Sequence, residues 1–155
     1  MNGECIFCSI AAGSLPAEIV YQDEHCLAFL DIQPASRGHT LLIPRRHQPH
    51  LEELPAEATA HLMDIAARIA RRYREQGYAL ATNLLLNNGK ASGQHVPHVH
   101  WHIVPRRQGD AAQVYWRHAT RFINPWSPMN DRYRLAQEAA TLRSLLGGNT
   151  ATGFT

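Results

Sequence analysis

Cysteine is scarce in this 155-residue sequence, with only three, and no apolar run approaches the roughly 20 residues that span a bilayer. The N-terminus, "MNGECIFCSI", lacks the basic-then-apolar layout of a secretion signal. These absences predict a cytoplasmic protein with no membrane partner. In a reducing compartment, three thiols also argue against a disulfide framework. Charge is sparse as well: 18% of residues are charged and the net charge is +2. That balance is too mild to imply a nucleic-acid partner, although a local basic patch could still receive an anionic small molecule. Internal repeats and long linkers are missing too. With 45% hydrophobic residues the chain can bury one core. Residues 1–146 therefore read as a single domain and "GGNTATGFT", 147–155, as a frayed tail.

What is present alternates between strand and helix signals. "IFCSIAAGSLP" reads as a short helix stopped by Gly13 and Pro16. "EIVYQ" and "HCLAFLD" read as a hairpin, and "HTLLIP" as a third strand ending at Pro44. In Ala56–Gln76, Leu62, Ile65, Ala66, Ile69, Ala70 and Tyr73 follow the i, i+3, i+4, i+7 pattern of a long amphipathic helix, which Gly77 stops. "ALATNLLLN" predicts a fourth strand, "NGKASG" a Gly/Ser loop, and "HVHWHIVP" a fifth strand closed by Pro105. Residues 106–130, without strong periodicity, read as a long aromatic-bearing loop. A final helix from Asp131, its N-cap, to about Leu146 carries Leu135, Ala139, Leu142 and Leu146 on one face. The expected architecture is a single α+β domain with a mostly antiparallel sheet of about five strands.

Histidine is the residue in excess. The chain has ten, and four fall within "HVPHVHWH", residues 95–102. Successive side chains of a strand point to opposite faces, so His98, His100 and His102 share one face about 6.6 Å apart, while Val99, Trp101 and Ile103 turn into the core. His95 breaks this parity. Three imidazoles in a row are open to three readings: a metal site, covalent chemistry with a central nucleophile, or a polar strand face. Immediately upstream, "NNGKASGQ" offers glycines that let backbone N–H groups approach an anion, with Asn87 and Gln94 as amide donors. Cys5 and Cys8 form a C-x-x-C that leaves metal and redox roles open. Cys26, in an apolar strand, is most simply a buried thiol.

"GQHVPHVHWHIVP" resembles the signature of the histidine-triad (HIT) family. "CIFCSIAAGSLPAEIVYQDEHCLAFLDIQPASRGHTLLIPRRH" is similar to that family's N-terminal half, so the resemblance covers about residues 5–107. It implies hydrolysis or transfer of nucleotides through a covalent nucleotidyl-histidine. By matching position, His100 is the nucleophile, His102 a holder of phosphoryl oxygens, His98 the flanking histidine and His39 a fourth, supporting histidine. Asn87, Gly93 and Gln94 match phosphate-contacting positions, and Asp31 the carboxylate for the ribose hydroxyls. Phe7, Ile10, Phe29 and Ile32 match the apolar sandwich around the base, though alone they would read equally well as core packing. His95 stands where relatives often carry Ser or Thr, which departs from the pattern, but it keeps a nucleotide-binding position from which its backbone could donate to phosphate.

The resemblance further implies a structural Zn2+ held by Cys5, Cys8, His47 and His98, a purine nucleotide substrate and a homodimer. Within the family the chain mixes Hint-like features (the C-x-x-C) with Fhit-like ones (a continuation of 53 residues past His102). Arg106 and Arg107, with Arg117 and Arg121, could meet the extra phosphates of a longer substrate. The first expectation is a dinucleoside polyphosphate hydrolase. A purine nucleoside phosphoramidase comes next, and a zinc-stabilised nucleotide-binding module with incidental hydrolysis third.

Overall fold

The computed structural model of the chain describes residues 5–120 and 132–147. The hydrophobic alternation resolves into a five-stranded sheet with the order β1-β2-β3-β5-β4, in which every neighbouring pair is antiparallel. The strands are β1 (Ile19–Gln22), β2 (Cys26–Leu30), β3 (Thr40–Pro44), β4 (Ala81–Leu86) and β5 (Trp101–Arg106). The helices are α1 (Ile6–Ala11), α2 (Ala56–Glu75), α3 (Ala111–Thr120) and α4 (Arg132–Leu145). None of the described helices is long and apolar enough to cross a membrane.

The two faces of the sheet bury different things. One carries Cys26, Ala28, Leu30, Leu42, Val99 and Ile103, packed against Leu62, Ile65, Ala66, Ile69 and Tyr73 of α2 and Leu135, Ala139 and Leu142 of α4. The stripe predicted for α2 is therefore its buried face, and Gly77 ends it with φ 67°, a left-handed conformation that glycine adopts without strain. The opposite face carries Leu27, Phe29, Leu41 and Ile43 against Phe7 and Ile10 of α1. Strands β2 and β3 are buried along their whole length because both sides are covered.

Strand β5 is central, yet it contains Pro105. Pairing with β3 stops at Ile103, so the residue without an N–H lies beyond the last β3 partner. There the Pro105 carbonyl accepts a hydrogen bond from Ser36 Oγ at 2.8 Å. Strand β4 is an edge strand with Ala81, Asn83 and Leu85 exposed.

Two expectations change. The stretch after Arg106 is not wholly a loop: Ala111–Thr120 is helical, with Val114 buried against Val104 and Ala35 while Tyr115 and Trp116 are exposed. Its exposed aromatic residues and short length kept it from being read as a helix in the sequence. Strand β5 begins at Trp101 rather than at the first triad histidine. The Asp131 cap, Arg121 and, apart from Gly147, the predicted tail lie outside the described residues.

Candidate active site and metal centre

The alternation expected of "HVHWH" holds although only its last two residues are in β5. His98, His100 and His102 are buried on the α1 side, whereas Val99, Trp101 and Ile103 join the α2 core. The rings of His100 and His102 are 5.0 Å apart, and Phe7 of α1 sits edge-on to His98 at 5.9 Å and His100 at 5.3 Å. His39 packs behind, its ring 5.1 Å from that of His102.

Hydrogen bonds assign each imidazole a tautomer, because a carbonyl accepts and never donates. His100 Nδ1 lies 2.7 Å from the His98 carbonyl oxygen. Nδ1 therefore carries the proton, and Nε2 holds the ring's lone pair. His98 Nε2 lies 2.9 Å from the Pro44 carbonyl, so Nε2 is protonated there and Nδ1 holds the lone pair. Burial pushes the His98 imidazolium down to about 4, which keeps the ring neutral. The Ala35 amide donates to His39 Nδ1 at 3.1 Å, so His39 Nε2 is the protonated nitrogen and donates to His102 Nδ1 at 2.9 Å. His102 then presents an Nε2–H donor. The array thus holds a lone pair on His100 and a donor on His102.

Both rings line a cleft of ≈ 230 Å³ together with Phe7, Ile10, Phe29 and His95. Asp31 and the 70% exposed Ile32 close its other end. Asp31 Oδ1 accepts the Gln33 amide at 2.8 Å, and Oδ2 lies 3.5 Å from His39 Nδ1. An apolar slot, a carboxylate and two imidazoles in sequence suit a base, its ribose and a phosphate.

Three residues expected at phosphate belong to the loop ahead of the triad. Asn87, Gly93 and Gln94 are not among the residues lining that cleft. The Gln94 side chain instead braces its own loop, donating to the Pro49 and His98 carbonyls at 2.8 and 3.4 Å and accepting from the Gly89 amide at 2.6 Å. Asn87 Nδ2 donates to the Gly93 carbonyl at 3.5 Å. Arg106 is tied to Asp110 and Asn83, and Arg107 donates to the Arg37 carbonyl, so both are engaged within the fold.

At the far side of His98, the Cys5 and Cys8 thiols, His47 Nδ1 and His98 Nδ1 all lie within 4.8 Å of one another. The S···N separations are 3.5 Å (Cys5–His98), 3.4 Å (Cys8–His47) and 3.6 Å (Cys8–His98). Tetrahedral zinc with its usual bond lengths requires S···N edges of about 3.6 Å. The His98 tautomer also turns the correct nitrogen toward the thiols, so these residues fit a metal. Burial and the neighbouring Cys5 push the Cys8 thiol up to about 11, so an incoming cation must displace that proton.

A second close set, Asp23, Cys26 and His61, has another explanation. Asp23 accepts from the amides of His25 and Cys26 and from Tyr21 Oη at 2.7–2.8 Å, and pairs with His61 Nε2 at 2.8 Å. Its oxygens are occupied in closing the β1–β2 turn onto α2. Burial pushes the Cys26 thiol up, as expected for a core thiol.

An antiparallel sheet that sets a carbonyl-oriented imidazole beside an apolar cleft and a carboxylate is an arrangement suited to nucleotide chemistry. Residues 12–109 match the model of the HIT domain family. The chain is similar to an adenosine 5'-monophosphoramidase of Saccharomyces cerevisiae, 39% identical over 107 residues, 69% of this chain and 65% of that protein. It is also similar to a nitrilase and fragile histidine triad fusion protein of Caenorhabditis elegans, 32% identical over 136 residues, 86% of this chain and 31% of that protein. Among solved structures, a Zn-bound histidine triad family protein from Mycobacterium smegmatis superposes with a TM-score of 0.76 at 38% identity, covering 94% of each chain. The chain belongs to the HIT family, and it is a nucleotide hydrolase of that family.

Proposed function

We propose that the protein hydrolyses purine nucleoside phosphoramidates through a covalent nucleotidyl-His100 intermediate. The observation that carries this reading is the 2.7 Å bond from His100 Nδ1 to the His98 carbonyl, which leaves Nε2 as a nucleophile in the cleft. In the first step the Nε2 lone pair forms a bond to the α-phosphorus as the bond to the leaving amine breaks. The amine takes a proton from a protonated His95, on the rim of the same cleft. In the second step a water oxygen bonds to phosphorus, His100 Nε2 departs with the bonding pair, and neutral His95 takes the water proton. The His102 Nε2–H hydrogen-bonds a phosphoryl oxygen throughout, where negative charge concentrates. Asp31 accepts the ribose hydroxyls, and Phe7, Ile10, Phe29 and Ile32 sandwich the base. Asn87, Gly93 and Gln94 act on phosphate indirectly, through the shape of their loop.

Zinc at Cys5, Cys8, His47 and His98 completes this reading. Four protein ligands close the coordination sphere, so the ion serves as a cross-link between α1, the segment after β3 and the histidine strand. The similar histidine triad family protein from Mycobacterium smegmatis is Zn-bound, which supports this reading. A homodimer in the cytoplasm, with no nucleic acid or membrane as partner, belongs to the proposal as well.

The second reading is a dinucleoside polyphosphate hydrolase. It is supported by the similarity to the fragile histidine triad fusion protein, which spans 86% of this chain. The engagement of Arg106 and Arg107 within the fold weighs against it, since those were two of the four cations, with Arg117 and Arg121, expected to meet extra phosphates. Turnover of adenosine phosphoramidate compared with a diadenosine polyphosphate tests the choice. Faster turnover of the phosphoramidate is expected. Preference for the polyphosphate would reverse the order, and affinity for both with negligible turnover would leave only a nucleotide-binding module.

A further inference from the structure

The C-terminal helix α4 lies outside the family match at residues 12–109, yet it reaches the histidine relay. The relay depends on the segment between β2 and β3, which supplies both Ala35, whose amide fixes the His39 tautomer, and His39 itself. Arg37, in the middle of that segment, is gripped at both ends. Its Nε donates to Glu138 Oε2 of α4 at 2.5 Å, and its carbonyl accepts from Arg107 Nη1 at 3.2 Å. Glu138 is largely buried, and its other oxygen accepts a hydrogen bond from Tyr78 Oη. The Arg107 guanidinium lies 4.9 Å over the Tyr78 ring, which closes the circuit.

Gly38 shows how tightly this corner is fitted. It has φ +81°, and a Cβ there would come within 2.2 Å of Tyr78 Oη. The backbone next to His39 therefore rests on the Tyr78 hydroxyl that Glu138 orients.

We propose that Glu138 is a positioning residue for the hydrolysis, acting through Arg37 and Tyr78 to hold the Ala35–His39–His102 relay in register. The inference rests on the reading of His102 as the phosphoryl-oxygen donor. When Glu138 is removed, the segment loosens and the Ala35 amide no longer occupies His39 Nδ1. His39 then accepts a proton there more readily. The charged and titratable groups facing His39 are Asp31 and His102, with Arg37 and, from α4, Arg134 and Glu138 around the adjoining cavity.

The test measures kcat, KM and the pH profile for adenosine phosphoramidate in Glu138→Ala, Glu138→Gln, Arg37→Ala and Tyr78→Phe. Glu138→Ala is expected to lower kcat by about tenfold to a hundredfold, the range typical of partners that orient a working histidine. KM should stay within about threefold. The acid limb of kcat should move to higher pH. Glu138→Gln, which keeps one acceptor oxygen, should recover part of the loss, and Arg37→Ala combined with Glu138→Ala should be no worse than the worse single variant. A fall in thermal midpoint with kcat and the pH profile unchanged would overturn the proposal, as would a rise in KM alone. If Glu138→Ala does not fold, Tyr78→Phe, which removes one hydroxyl, carries the same expectations. Failure of the hydrolase reading itself is distinguishable, because the unmodified protein would then turn over nothing.

Discussion

His98 divides its atoms between two tasks. Its ring nitrogen faces two thiols and His47, while its backbone oxygen, 2.7 Å from His100 Nδ1, sets the nucleophile's tautomer. His100 has no substitute for its lone pair, so His100→Ala should abolish turnover while AMP still binds within about tenfold, measured by calorimetry. His95 has a different signature. His95→Ala should slow substrates with poor amine leaving groups far more than those with good ones, and a uniform loss across a leaving-group series would remove it as the proton donor. Away from the cleft, Asp23 supports stability. Burial alone would raise its carboxyl, but hydrogen bonds from Tyr21, the Cys26 and His25 amides and His61 hold it well below the usual carboxylate range. A depressed folded value stabilises above the unfolded value of about 4 and is lost as pH falls below it. Asp23→Asn should therefore lower unfolding free energy by about 1–3 kcal/mol at neutral pH, a difference that shrinks in acid when urea melts are compared.

At the scale of elements, α1 is six residues long and cannot be stable by itself. It is held by Phe7 and Ile10 against the sheet, by Arg45 Nη1 donating to the Ala11 carbonyl at 3.2 Å, and by the proposed metal. Because the helix and its N-cap residue Cys5 supply both thiols, and the helix two walls of the base slot, removal of zinc by a chelator should weaken AMP binding by about tenfold or more. Cys5→Ser with Cys8→Ser should reproduce that loss, and unchanged affinity in both would separate metal from slot. Parity made this face legible in the sequence: "HVHWH" alternates histidine with apolar residues, so the side of each followed from its position alone. The tautomers were not legible, because they depend on Pro44, Ala35 and the bend that starts β5 only at Trp101. Nor were the bonds of Gln94 to Pro49 and Gly89, since an amide in a glycine loop does not name its partners. Helix α3 was missed for the opposite reason. Tyr115 and Trp116 are exposed, and Val114 is the one apolar side chain of its first turn and a half that is buried.

Among the described residues β4 lies at an edge of the sheet, with Leu85 40% exposed. A sheet edge of this kind pairs readily with a second copy. Light scattering should give twice the 17.4 kDa of one chain, and Leu85→Lys should shift it toward the monomer. The family, the sheet and the triad face could all be anticipated because they rest on local patterns. The tie from α4 to the catalytic segment could not, since Arg37 and Glu138 lie 101 residues apart and nothing near either names the other. The account stands on one bond at the centre of the cleft. Adenosine phosphoramidate mixed with the protein and quenched within a single turnover should give an adenylyl group on the His100 peptide by mass spectrometry, which disappears as AMP is released. Hydrolysis at the full rate with no adduct on His100, and retained by His100→Ala, would contradict it.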